Sequence, residues 1–107
     1  MPSPWTVKIH SNGNATPSSQ HVINGDTVKF TSDHGAWSVT FDNNTTPLPK
    51  TSYSGAKDTS DGGVISGVIG TTYKYTSCCT PDGGTQSCQD PDIVIDSTPI
   101  EGTKKAY

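Results

Sequence analysis

The sequence predicts an all-β domain, an antiparallel Greek-key β-sandwich. Three observations predict it. Apolar and polar residues alternate in short runs, as in Trp5-Thr6-Val7-Lys8-Ile9 and Trp37-Ser38-Val39-Thr40-Phe41. That is the period of a strand with one face buried. Clusters of Gly, Asn, Asp, Ser and Pro separate the runs at roughly the 8–12-residue spacing of sandwiches. Internal repeats and heptads are absent, and the polar stretch 42–63 has no helical period.

The elements follow in order. Trp5, Val7 and Ile9 are expected to point inward from the first strand. Ser11-Asn12-Gly13-Asn14 is a turn cluster, and His21-Val22-Ile23 reads as a short strand. Asn24-Gly25-Asp26 turns the chain into Thr27–Thr31, with Val28 and Phe30 inward. Ser32-Asp33-His34-Gly35 turns it again into Trp37–Phe41. The stretch 42–63 reads as a long loop, a kind that is uncommon in small domains and often functional. It carries Tyr53, so a partner is expected to dock there. A weak strand over 63–69, a Tyr73–Tyr75 strand and an Ile93–Ile95 strand bring the count to about seven. Residues 1–97 are expected to form one domain and 98–107 a polar C-terminal tail. The expected core is Trp5, Val28, Phe30, Trp37, Val39, Phe41, Tyr75, Ile93 and Ile95.

Composition narrows the function classes. Val, Ile, Leu and Phe make up only 17 of 107 residues, a level that would raise disorder. The net charge of −3 is too small for that reading, so a thin-cored β domain fits better. A slight acidic excess without a basic cluster argues against nucleic acid. No apolar run reaches the roughly 20 residues of a membrane span. The opening Met1-Pro2-Ser3-Pro4 has no leader-like apolar run, as expected of a mature domain. Glu101 is the sole glutamate and no Gly-x-Ser-x-Gly elbow occurs, so an enzyme is not expected.

Cys78, Cys79 and Cys88 lie in one short stretch. A disulfide in an oxidising compartment, with one spare thiol, is the expectation. Cys88 pairs with Cys79 or Cys78 in that reading. Cys79 is preferred because, counting by two, it shares a face with Tyr75 and Ser77. Either loop of about ten residues stabilises by roughly 2–3 kcal/mol.

Three stretches carry a resemblance: Gly25-Asp26-Thr27-Val28-Lys29-Phe30, Trp37–Phe41, and Thr72-Tyr73-Lys74-Tyr75 through Cys79. Taken in order over about residues 5–96, they resemble a cupredoxin, the blue-copper fold. The resemblance implies a ligand set of two His, one Cys and an axial Met. Matching Val39 and Phe41 to the family's x-Val-x-Phe strand puts Trp37 where the first His would stand. Matching Cys79-Thr80-Pro81-Asp82 to Cys-x-Pro-His puts Asp82 at the second. No His follows Cys79, and the sole Met is Met1. An ordinary blue-copper site is therefore not expected.

The expected function is a non-catalytic, extracytoplasmic binding or structural module without a blue-copper site or cofactor. Its partner would be a protein, a cell surface or a further copy of itself. The alternative is a copper-binding or electron-transfer protein with an altered site, for which His34 and Cys79 are the candidate ligands. His10, His21 and His34 otherwise read as surface residues. Asn14, Asn43 and Asn44 head Asn-x-Ser/Thr sequons in turns, acceptors only in a eukaryotic secretory setting.

Overall fold

The computed structural model describes residues 3–97; the expected tail at 98–107 lies outside the described residues. Ten strands run in chain order: β1 (Pro4–Ile9), β2 (Ala15–Thr16), β3 (Ser19–Val22), β4 (Thr27–Thr31), β5 (Gly35–Phe41), β6 (Ser52–Gly55), β7 (Ser60–Val64), β8 (Thr72–Pro81), β9 (Ser87–Gln89) and β10 (Asp92–Ile95). One short 3-10 turn, Asp42–Asn44, follows β5, and no α-helix occurs among the described residues. The chain is all-β, as its alternation predicts.

Two sheets form. One has the order β2-β1-β4-β7; the other has the order β3-β10-β8-β5-β6, with β9 also on β8. Both are mixed rather than purely antiparallel, which corrects the expectation. β1 runs parallel to β4, with Trp5 opposite Val28 and Val7 opposite Phe30. β3 runs parallel to β10, with Ser19 opposite Asp92. Alternation within a strand dictates which face is buried, but not the direction of the neighbour.

β8 is the hub of the larger sheet. β5 lies along one side over seven residue pairs, from Gly35↔Pro81 to Phe41↔Tyr75. On the other side β10 pairs with residues 72–74 and β9 with residues 77–79. Its tyrosines alternate inward, so Tyr73 and Tyr75 are buried while Thr72 and Lys74 are exposed.

Phe30 of β4 joins the sheets. Its ring lies 6.5 Å from Trp37, 6.1 Å from Tyr53 and 5.4 Å, edge-on, from Tyr75. Each such aromatic pair contributes about 0.5–1.5 kcal/mol beyond its buried area. Around it, Val7, Val28, Val39, Ile93 and Ile95 are fully buried. Eight of the nine expected core residues are buried; Trp5, at 37% exposed, is the exception. Trp5 has the parity of Val7 and Ile9 but lies near the strand's start, where the sheet ends. There its indole N–H donates to Asp26 Oδ2 at 2.9 Å.

The stretch 42–63 is not one long loop. Polar strand β6 lies within it and β7 straddles its end, at the two sheet edges beside β5 and β4. β7 also takes the N-terminal end of the strand expected over 63–69, and no strand covers 65–69.

The disulfide joins Cys78 to Cys88, with Cα atoms 4.1 Å apart, and Cys79 is a buried free thiol. This corrects the preference for Cys79–Cys88. Cys79 does share a face with Tyr75 and Ser77, but that face is the core. Cys78 points the other way and sits directly opposite Cys88 on β9.

Candidate functional site

Strand β4 runs between two ends of the molecule, one marked by Asp26 and the other by His34. The His34 end holds Trp37, Cys79 and Asp82, the residues matched to copper ligands, together with His34 itself. Trp37 and Cys79 are direct cross-strand partners on β5 and β8. Both side chains face inward, at 3% and 0% exposure. The Trp37 indole N–H donates to the Thr59 carbonyl at 3.1 Å. The Cys79 thiol lies 3.6 Å from the Ser32 hydroxyl, which itself donates to the Ile9 carbonyl at 2.6 Å. Asp82 is exposed and pairs with Lys57 at 3.1 Å. That hydrogen bond and the carboxylate's charge raise the Lys57 pKa.

His34 and Cys79 are not brought together as ligands. The His34 backbone N–H donates to the Ser32 hydroxyl at 3.2 Å, but its imidazole turns outward. His34 Nε2 lies 3.3 Å from Asp33 Oδ1, on a ring that is 43% exposed as a side chain. The imidazole of His10 is its neighbour, with ring centroids 6.0 Å apart and planes tilted by 47°. His10 Nε2 hydrogen-bonds the Thr16 hydroxyl. His21 stands apart on β3, with Nδ1 3.1 Å from Asp96.

The histidine pair was invisible in the sequence because it depends on strand direction. β1 and β4 are parallel and in register, with Lys8 opposite Thr31. Both strands therefore end at the same place. His10 follows β1 and His34 follows β4, so the two rings share one end. An antiparallel pair would have sent them to opposite ends.

The Asp26 end is built by hydrogen bonds. The buried Asp26 carboxylate accepts from the Ser3 N–H at 2.8 Å, the Trp5 indole at 2.9 Å and the Ile23 N–H at 3.1 Å. Burial alone would raise its pKa, but these three donors outweigh burial and hold it below the ordinary aspartate value. Asn24 clamps the loop after β7, donating to the Gly67 carbonyl at 3.1 Å and accepting from the Gly67 N–H at 2.7 Å. That loop exposes Val68 and Ile69 at 66% and 55%. Val64, at the end of β7, is also exposed.

Tyr53, the expected docking aromatic, is packed against the sheet. It is buried on β6 with its hydroxyl accepting from the Lys50 N–H at 3.1 Å, and Lys50 Nζ sits 4.8 Å above its ring. With Ser38, Thr40, Lys50, Ser52, Ser54 and Asp61 it lines a shallow polar groove of about 480 Å³. Asn43 and Asn44 are exposed in the 3-10 turn, both with positive φ, at 57° and 54°. Among the described residues no three His, Cys, Asp or Glu side chains gather closely enough to hold a metal together. No helix among the described residues is long and apolar enough to cross a membrane. No protein-family model matches this chain, and no curated protein matches it.

Proposed function

We propose that this chain is a non-catalytic, extracytoplasmic module on a cupredoxin-like Greek-key sandwich that works by binding or assembly, without a blue-copper site. One observation carries the reading. Cys79, the residue matched to the copper thiolate, is sealed in the core opposite Trp37, the residue matched to a copper histidine. An indole has no lone pair to give a metal, and this one already donates its N–H to Thr59. Asp82, matched to the other histidine, points outward into an ion pair with Lys57. The two sheets joined through Phe30 support the sandwich. The Cys78–Cys88 bond supports an oxidising compartment. The binding surface in this reading is the Asp26 end, where Val68 and Ile69 face solvent on a clamped loop.

Titration with Cu(II), read by visible absorbance, tests the proposal. The expected result is no intense thiolate-to-copper band. A stoichiometric band at the blue-copper wavelength, lost in Cys79→Ser, would overturn it and favour electron transfer.

A further inference from the structure

We infer that His10 and His34 form a surface site for one borderline divalent transition-metal ion, such as Zn²⁺ or Cu²⁺, bound through their two Nδ1 atoms. The geometry is the first ground. With metal–nitrogen bonds of about 2.0–2.1 Å, two imidazoles sharing an ion place their ring centroids roughly 5–6.5 Å apart. The rings of His10 and His34 stand 6.0 Å apart. That separation falls within this range.

The second ground is the outer shell. Asp33 Oδ1 lies 3.3 Å from His34 Nε2, and a carboxylate only accepts, so its neighbourhood favours the proton on Nε2 and the lone pair on Nδ1. The Thr16 hydroxyl hydrogen-bonds Nε2 of His10, so that ring too has an oxygen partner on its far nitrogen. No hydrogen bond engages either Nδ1 among the described residues. An oxygen partner on the far nitrogen is the usual arrangement behind metal-bound histidine, where it fixes the tautomer and strengthens the ligand. His21 is wired differently, since Asp96 occupies its Nδ1.

The third ground is the backbone. The two histidines lie just beyond the paired ends of neighbouring parallel strands, His10 directly after β1 and His34 in the short bend between β4 and β5. Gly13 N–H donates to the His10 carbonyl at 2.8 Å, and Asp82 N–H to the His34 carbonyl at 3.3 Å. Imidazole pairs suit zinc, copper and nickel, and two protein ligands leave the remaining positions to water or to a partner's side chain. The site lies outside the Cys79 position and does not depend on the function proposed above.

Isothermal titration of the full chain with Zn(II), and separately with Cu(II), tests the site. We expect one saturable equivalent, with Cu(II) the tighter, as the usual order of divalent affinities requires. His10→Ala and His34→Ala should each weaken binding at least about tenfold, and Asp33→Asn by about tenfold through loss of the outer-shell partner. His21→Ala and Cys79→Ser should change nothing. In proton spectra the His10 and His34 ring signals should move together, with His21 still. Binding that survives His10→Ala or falls equally in His21→Ala would overturn the inference, as would no saturation below millimolar metal. A weak Cu(II) absorption that survives Cys79→Ser belongs to this site. An intense band lost in that variant would instead strike at the packed copper position.

Discussion

Replacing Asp26 by Asn should cost about 1.5–3 kcal/mol at neutral pH, a large share of a small domain's stability. The carboxylate is 3% exposed and divides its oxygens, Oδ1 to Ser3 and Oδ2 to Trp5 and Ile23. An amide has one acceptor oxygen. If it faces Trp5 and Ile23, the NH₂ confronts the Ser3 N–H; if it faces Ser3, two donors are stranded. A hydrogen bond to a charged acceptor contributes about 1.5–3 kcal/mol. Ser3 and Trp5 are partly exposed, so water recovers part of their share, and the total stays near the value of one such bond. The pH dependence has a definite sign. The folded-state pKa of Asp26 lies below its ordinary value, so its contribution is complete above the unfolded value near 3.9 and fades as pH falls through and below that range. Urea unfolding of both proteins, followed by tryptophan fluorescence at pH 7, 5 and 3.5, reads the difference directly. The gap should be equal at pH 7 and 5 and smaller at pH 3.5. A gap under about 0.5 kcal/mol at pH 7, less than any charged bond predicts, would refute the reasoning. So would a gap that does not narrow in acid.

Three further outcomes follow from the core. Peptide mapping of unreduced protein should find Cys78 bonded to Cys88 and Cys79 alkylated only after unfolding; Cys78→Ser should cost roughly 2–3 kcal/mol for the loop it opens, measured by urea unfolding. Phe30→Ala removes the ring that touches Trp37, Tyr53 and Tyr75, and should cost about 3–5 kcal/mol in the same assay. The Tyr75 hydroxyl is buried without a hydrogen-bond partner among the described residues, and burial raises its pKa strongly. Tyr75→Phe should therefore leave the unfolding free energy unchanged or raise it in the same assay, and a loss of more than about 1 kcal/mol would show that the hydroxyl is satisfied.

The sequence is legible where side chains alternate. Val28 and Phe30, Trp37, Val39 and Phe41, and Ile93 and Ile95 announce strand and buried face together, because a pleated strand exposes every second residue. It is opaque where pairing decides. Ser60-Asp61-Gly62-Gly63-Val64 has almost no apolar rhythm; it is a strand because β4 offers it a free edge. Gly62 makes that approach feasible, since a Cβ there would collide with the Val28 carbonyl. Parity placed Cys79 correctly on a face but could not say that Cys88 waits on the other. The histidine pair depends on two strands running parallel, which no local pattern encodes.

The pairing of β3 with β10 has a consequence for how the protein is made. Ser19 and Asp92 are 73 residues apart, yet their strands lie side by side. Until the segment from Asp92 to Ile95 has been synthesised, β3 has no neighbour and half of β8 has an open flank. Such distant closure slows folding, because the chain entropy of the whole intervening loop is lost before any contact rewards it. The larger sheet therefore cannot be completed strand by strand as the chain grows; it must wait for nearly all of the domain. A chain exported while still unfolded would meet this requirement naturally, since it closes only after its last strand has crossed. One stopped short of Asp92 would leave open strand edges for neighbouring chains to fill.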